Sequence, residues 1–223
     1  MVVLATKIYV SGGARERALD SLRSLVGNQI GDLDVAIDVG LRHDGFPSVT
    51  LAGDDETVAR NLLREEWGAI TPEFEAGESY VGTLESWDDD GFALDAGADV
   101  VIPTDEIGLG PGTPSQVRTR FGLVQHLPLR FVYDEDGSRL ADVERDRLYE
   151  WTRAESGRVN VNSVTRAAVR ATLNRAGHAR DVVTVERLGL LEQSVVVSTS
   201  SDPPGILASV GEYLPSELLC VVP

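Results

Sequence analysis

Arg166, Arg170 and Asn174 recur at four-residue intervals, with Val169, Leu173 and Ala176 between and beyond them. Residues four apart share one face of an α-helix, so the spacing predicts a polar arginine stripe opposite a buried apolar one. A guanidinium binds phosphate through two parallel hydrogen bonds and stacks on bases, so the chemistry on offer is polyanion binding. Arg158 and Arg180 flank the stripe. The six arginines of residues 157–223 all lie between 158 and 187, opposed there only by Asp181 and Glu186. The competing reading is that these arginines pair with carboxylates of the charged segment that precedes them.

Other residue groups carry less. Ser11-Gly12-Gly13-Ala14-Arg15 joins a strand to a helix N-terminus, a geometry able to cradle phosphate. It lacks the P-loop lysine and the dinucleotide fingerprint, and reads as a tight turn. Asp88, Asp89 and Asp90 could offer oxygens to a hard cation, but without the spaced ligand set of a dedicated site they read as an acidic hairpin tip. His43, His126 and His178 fall in different segments, with no metal-ligand spacing among themselves or to Cys220. His126, at a barrel loop beside Arg118, Arg120 and Arg130, reads first as a structural hydrogen-bonding residue, and with Arg118 and Arg120 it also joins the nucleic-acid candidates. No nucleophile elbow is present. The expectation is a non-enzymatic protein with no catalytic, cofactor or metal site. Cys220, in the apolar run Leu218 to Val222, reads as a buried strand cysteine.

Charge sets the background for these readings. The chain has 223 residues, 36 acidic against 20 basic, for a formal net charge of −16; Lys7 is its only lysine. An acidic, lysine-poor, arginine-rich composition suits molar salt, where the Debye length falls to ~3 Å and like charges cease to repel. At ordinary ionic strength such acidity opposes nucleic-acid binding. In molar salt binding rests on stacking, hydrogen bonds and shape instead. Without a signal peptide or an apolar run longer than about five residues, the expectation is a cytoplasmic protein that does not engage a membrane.

The elements that must position these residues fall into three modules. Residues 1–71 predict a ferredoxin-like α+β domain. It has a strand at 8–10, a helix burying Leu22 and Val26, strands at 33–39 and 48–52, and a second helix with Val58, Leu62, Leu63 and Trp67 inward. From about residue 72 helical periodicity gives way to short alternating runs at 80–86, 91–95, 99–103 and 129–133, with a helix at 115–121. That order predicts an OB-type β-barrel over 72–136. Residues 137–156 read as a charged helical connector. Residues 157–223 predict a second ferredoxin-like domain, with the arginine stripe on a helix over 163–176 and a closing strand at 218–222.

Three resemblances extend this reading. Tyr80-Val81-Gly82-Thr83-Leu84, Gly91-Phe92-Ala93-Leu94-Asp95 and Val100-Val101-Ile102-Pro103 resemble the OB domain of the ribosomal S-one type. The resemblance implies base stacking on exposed aromatics; Phe92 takes the aromatic position, Trp87 could add a second ring, and Pro103 replaces the usual histidine. Over its length the chain resembles an archaeal, haloarchaeal-type family of unknown function, through the stretches from Arg120 to Phe131 and from Arg187 to Glu192. A weaker likeness, to the stalk subunit of archaeal RNA polymerase, rests on an α+β module ahead of a barrel. The combined expectation is an RNA- or ribonucleoprotein-binding protein of translation or transcription, with ribosome or RNA polymerase components as partners. The alternative is a small-molecule-sensing regulatory homodimer. Candidate contacts are Arg158, Arg166, Arg170, Asn174 and Arg180, with Phe92, Trp87, Arg118, Arg120 and His126.

Overall fold

A computed structural model describes all 223 residues. The first unit comprises β1 (Val2–Val3), α1 (Gly12–Ile30), β2 (Ala36–Leu41), β3 (Pro47–Ala52) and α2 (Glu56–Trp67). Its antiparallel sheet runs β1-β3-β2, and a single bridge between Leu4 and Ala69 extends it beyond β1. The 3.6-residue period of α1 buries Ala18, Leu22, Val26 and Ile30 against it. Three expectations shift here. The first strand lies at Val2–Val3 rather than 8–10, because the following residues leave the sheet and run extended along the β2–β3 turn, with Ile8 N donating to Gly45 O at 2.8 Å. The strand expected from 33 begins at Ala36, because Leu33 turns back on α1, its N–H bonding Ile30 O at 3.1 Å. On α2 the buried stripe is Ala59, Leu63 and Trp67, while Val58 and Leu62 are exposed; four-residue steps from Ala59 fit the sheet, and those from Val58 face away.

The second unit is a five-stranded antiparallel sheet curled into a half-barrel. Its strands are β4 (Ser79–Trp87), β5 (Gly91–Asp95), β6 (Asp99–Pro103), β7 (Pro128–Val132) and β8 (Arg139–Leu140), ordered β6-β5-β4-β7-β8. A register shift between Leu84 and Ser86 bends β4, the usual way of curling a strand. Gly91 closes the β4–β5 turn at φ 150°, where a Cβ would stand 2.0 Å from Ile102 O, so no larger residue fits. Between β6 and β7 lies α3 (Pro114–Phe121), started by a Thr113–Gln116 capping box. The supposed connector belongs to this unit. Leu140 on β8 pairs with Phe131, and α4 (Asp142–Arg153) lays Leu148 and Trp151 into the barrel core. Its charge had masked an apolar face.

The third unit comprises β9 (Arg158–Val161), α5 (Arg166–Arg175), β10 (Val182–Arg187), β11 (Gln193–Val197), α6 (Pro203–Gly211) and β12 (Leu218–Val221). Its antiparallel sheet is ordered β10-β11-β9-β12. The helix starts three residues later than its polarity suggests, because Thr165 caps it by accepting from Ala168 N. Cys220 is only half-buried on β12. This unit docks into both others. The β10–β11 turn pushes Leu190 and Leu191 into the core of the first unit, Val221 enters the barrel core, and Asn160 Nδ2 donates to Gly122 O at 2.8 Å. No helix is long and apolar enough to cross a membrane.

Leu190 is 2% exposed, so Leu190→Ala should cost about 2–5 kcal/mol, as buried leucine truncations do. Urea unfolding measures the loss, and hydrogen exchange should show it in the α1 amides of the first unit. Val183→Ala, at a 65% exposed site on the neighbouring strand, should leave both unchanged.

Candidate nucleic-acid interface

The period of α5 buries Val169, Thr172 and Leu173 and leaves Arg166, Arg170 and Asn174 on the open side. Arg180 is exposed in the loop that follows. None of these three arginines has a carboxylate partner within ion-pairing distance, and the two carboxylates of residues 158–187 are engaged elsewhere. Glu186 is paired with Arg158, and Asp181 with His178 at 2.8 Å. On α4, Asp142 serves Arg139 and Arg145, and Glu144 serves Arg147. Partial burial pushes the Arg166 guanidinium below its ordinary pKa, and the charges of Arg170 and Arg187 push it further, opposed by the nearby Glu186 carboxylate that Arg158 holds. The result is uncompensated positive charge beside a shallow groove of about 210 Å³ between α5 and β10, lined by Arg170, Asn174 and the exposed Val183.

The remaining candidates are not brought to this face. Arg158 points to the opposite side of the sheet, where it is held by Glu186 and Ser194 and covers Trp151. Phe92 has no exposed surface; it belongs to the barrel core, so it offers no ring for a base to stack on. Trp87 is covered by Arg118, whose guanidinium carbon sits 3.7 Å from the ring centroid and which also pairs with Glu217. Arg120 donates to Leu109 O at 2.6 Å and Pro111 O at 2.9 Å, pinning the glycine-rich loop before α3. Charged groups at these positions therefore close contacts inside the protein.

His126 joins a polar clasp that the sequence reading missed. Its Nδ1 lies 3.2 Å from Glu85 Oε1, the oxygen that also accepts from Thr83 Oγ1 at 2.8 Å and from Lys7 Nζ at 3.1 Å. Lys7 further bonds Asp95 at 2.6 Å. The His126 ring lies 3.7 Å from that of Tyr9, whose hydroxyl donates to Glu192 Oε1 at 2.6 Å and accepts from Ser163 N at 2.9 Å. His126 and Ser163, at φ 65° and 63°, are the two non-glycine residues with positive φ, a conformation that costs roughly 1–2 kcal/mol each and is held by these contacts. Burial works to raise the Glu85 pKa, but hydrogen bonds from His126 and Thr83, with the His126 charge, bring it down to about 2. Burial pushes Glu192 up to about 8, against the Tyr9 hydrogen bond, and burial raises Tyr9 as well. The sole lysine, and a glutamate set within Leu190-Leu191-Glu192, were the available signals. No cluster of His, Cys, Asp and Glu is arranged to hold a metal ion.

Known families match the chain in three consecutive parts. Residues 1–73 match the DUF2110 N-terminal domain, 74–152 the DUF2110 central domain and 156–222 the DUF2110 C-terminal domain. The central match takes in β8 and all of α4 but its last residue. No curated protein matches the chain.

The clasp predicts a pH dependence in two windows. Glu192 has a folded pKa above its ordinary 4.5, so between 4.5 and about 8 the folded state holds a proton that the unfolded state has lost. Stability from this group is full below 4.5 and falls as pH rises to about 8. Glu85, with its folded pKa lowered, contributes above 4.5 and loses that contribution as pH falls toward about 2. Glu192→Gln keeps an acceptor for Tyr9 and removes the upper window. Thermal melts from acid to mildly alkaline pH should show the variant gaining on the wild type as pH rises.

Proposed function

The chain belongs to the DUF2110 family in all three of its domains, and we propose that it is a non-enzymatic RNA-binding protein gripping RNA on the arginine face of its third domain. The observation that carries this reading is the set Arg166, Arg170 and Arg180, exposed and without carboxylate partners in a chain of net charge −16. Where carboxylates outnumber cations so heavily, adjacent uncompensated guanidiniums are an arrangement suited to an external polyanion. Asn174 adds a neutral hydrogen-bonding group on the same stripe, and the apolar groove floor beside it can meet a sugar or base. Arginine suits such a surface because its planar fork meets phosphate bidentately and stacks on unpaired bases.

The rest of the molecule serves as a frame. The order β10-β11-β9-β12, with helices after β9 and β11, the first and third strands along the chain, supports reading the third domain as ferredoxin-like. The first domain follows the same plan, its fourth strand reduced to the Leu4–Ala69 bridge. The half-barrel order, the helix between its third and fourth strands, and the approach of β6 to β8 support an OB-type reading. With Phe92 inside and Trp87 covered, that barrel is a spacer that sets the arginine face relative to the partner. The lysine-poor acidic composition supports an archaeal, high-salt cytoplasm as the setting, and ribosomal or RNA polymerase assemblies as the place of action.

Crosslinking in cells, followed by recovery of the protein from molar potassium chloride, should bring down RNA. With a single-stranded RNA in vitro, Arg166→Gln plus Arg170→Gln should flatten the slope of log affinity against log salt by about 1.4, as loss of two single-strand phosphate contacts requires. Charge reversal at both positions should abolish recovery. Unchanged binding by the reversed variant, or no RNA after crosslinking, would sink the reading.

A further inference from the structure

A second group of arginines meets away from α5. Where the three domains join there is a cleft of about 140 Å³, with Arg130 and Arg147 from the second domain and Arg187 from the third on its walls. Glu66, Trp67 and Glu144 complete its charged and aromatic lining. Arg130 is there because β7 alternates: Leu129 and Phe131 enter the barrel core, so the residue between them points outward. Arg187 ends β10 and lies over the Trp67 ring, 4.3 Å from its centroid.

The pairing within the cleft is incomplete in a specific way. Glu144 is 6% exposed and fully used, holding Arg147 through one oxygen and accepting from Arg130 N through the other at 3.3 Å. Arg187 pairs with Glu66, whose side chain is 48% exposed; such a half-exposed pair is weak and readily exchanged. The Arg130 guanidinium has neither a carboxylate nor a hydrogen-bond acceptor. Three guanidiniums thus face two carboxylates, and one of those carboxylates can be displaced. Arg147 makes its hydrogen bond to Glu144 through Nη2 alone, so the second guanidinium is also under-used.

We propose that this cleft binds a phosphate dianion, either inorganic phosphate or the phosphomonoester end of a larger molecule, between Arg130, Arg147 and Arg187. Two guanidiniums with free donors and a third that can leave Glu66 supply the bidentate contacts a tetrahedral oxyanion takes. The volume admits a phosphoryl group and its waters; it lies below the roughly 300–1,000 Å³ of pockets that enclose a whole drug-sized ligand, so any larger moiety remains outside. The cleft draws on side chains of all three domains, so its ligand would favour their assembled state. The proposal stands apart from RNA binding by α5, although Arg187 lies near enough to Arg166 for their charges to interact.

Inorganic phosphate and phenyl phosphate, titrated calorimetrically into the full chain in phosphate-free potassium chloride buffer, should both bind and raise the thermal midpoint. Arg130→Gln breaks no ion pair, so its midpoint without ligand should match the wild type while its phosphate affinity drops about tenfold or more. Glu66→Gln frees Arg187 and should tighten phosphate binding, a gain that a purely structural role for the pair would not produce. Arg17→Gln, on an exposed α1 position, should behave as wild type. Oligonucleotides with and without a 5′-phosphate separate the two sources. A preference for the phosphorylated strand that Arg130→Gln removes points to a strand end; equal binding of the two, with phosphate still bound, points to free phosphate. Reversal of Arg166 and Arg170 should weaken both oligonucleotides and leave the phosphate titration intact, so the two readings can fail separately. Absence of binding by phosphate and phenyl phosphate, or unchanged binding by Arg130→Gln, would overturn the proposal.

Discussion

One side chain touches all three domains. Tyr9 leaves the first domain on an extended segment, lays its ring against His126 of the second, and bonds Glu192 and Ser163 of the third through its hydroxyl. A carboxyl as buried as Glu192 is costly unless it is satisfied or neutral, and here one oxygen accepts a hydrogen bond from the Tyr9 hydroxyl while the raised pKa keeps the group protonated. Its second oxygen has no partner and packs against Gly189, where a Cβ would stand only 2.2 Å away. The arrangement persists because Leu190 and Leu191, next in the chain, bury their side chains in the core of the first domain. Burying a leucine contributes roughly 1.5–3 kcal/mol, enough to offset an imperfectly satisfied carboxyl. Apolar insertion holds the domains together, and the polar clasp fixes their register.

That fixed register gives the charge distribution its meaning. In the third domain Glu186 and Asp181 are taken by Arg158 and His178, and Glu192 and Glu217 are turned toward Tyr9 of the first domain and Arg118 of the second. Arg166, Arg170 and Arg180 are left as a positive face on an otherwise negative body. A polyanion approaching elsewhere meets repulsion, so the same net charge that weakens binding in general directs it to one surface. The cleft repeats the logic on a smaller scale, with one guanidinium more than the carboxylates beside it.

The arginine stripe was legible because it is a local property: spacing of four on a helix with apolar residues between. So were α1, α3, β3 and β5, whose periodicity or turn chemistry is contained in a short stretch. The errors had equally local causes. Charge density on α4 made it read as a connector although it carries Leu148 and Trp151, and the apolar run at 8–10 resembled a strand although Ile8 bonds Gly45 of the β2–β3 turn and Tyr9 reaches the other two domains. Phe92 occupied an aromatic position by alignment, but its facing within the barrel depends on the curl of β4 and β5.

From its own periodicities and charge the sequence determined the helices, most strands, the acidic background and the stripe. These follow from side-chain spacing and backbone preference over a few residues. Which arginines are free, which are consumed, and where three domains meet were decided by the tertiary structure alone. Ion pairs and buried hydrogen bonds join residues far apart in the chain, Arg118 to Glu217 across 99 positions and Tyr9 to Glu192 across 183. Such pairings depend on close packing of surfaces from different domains, and no spacing along the sequence encodes them.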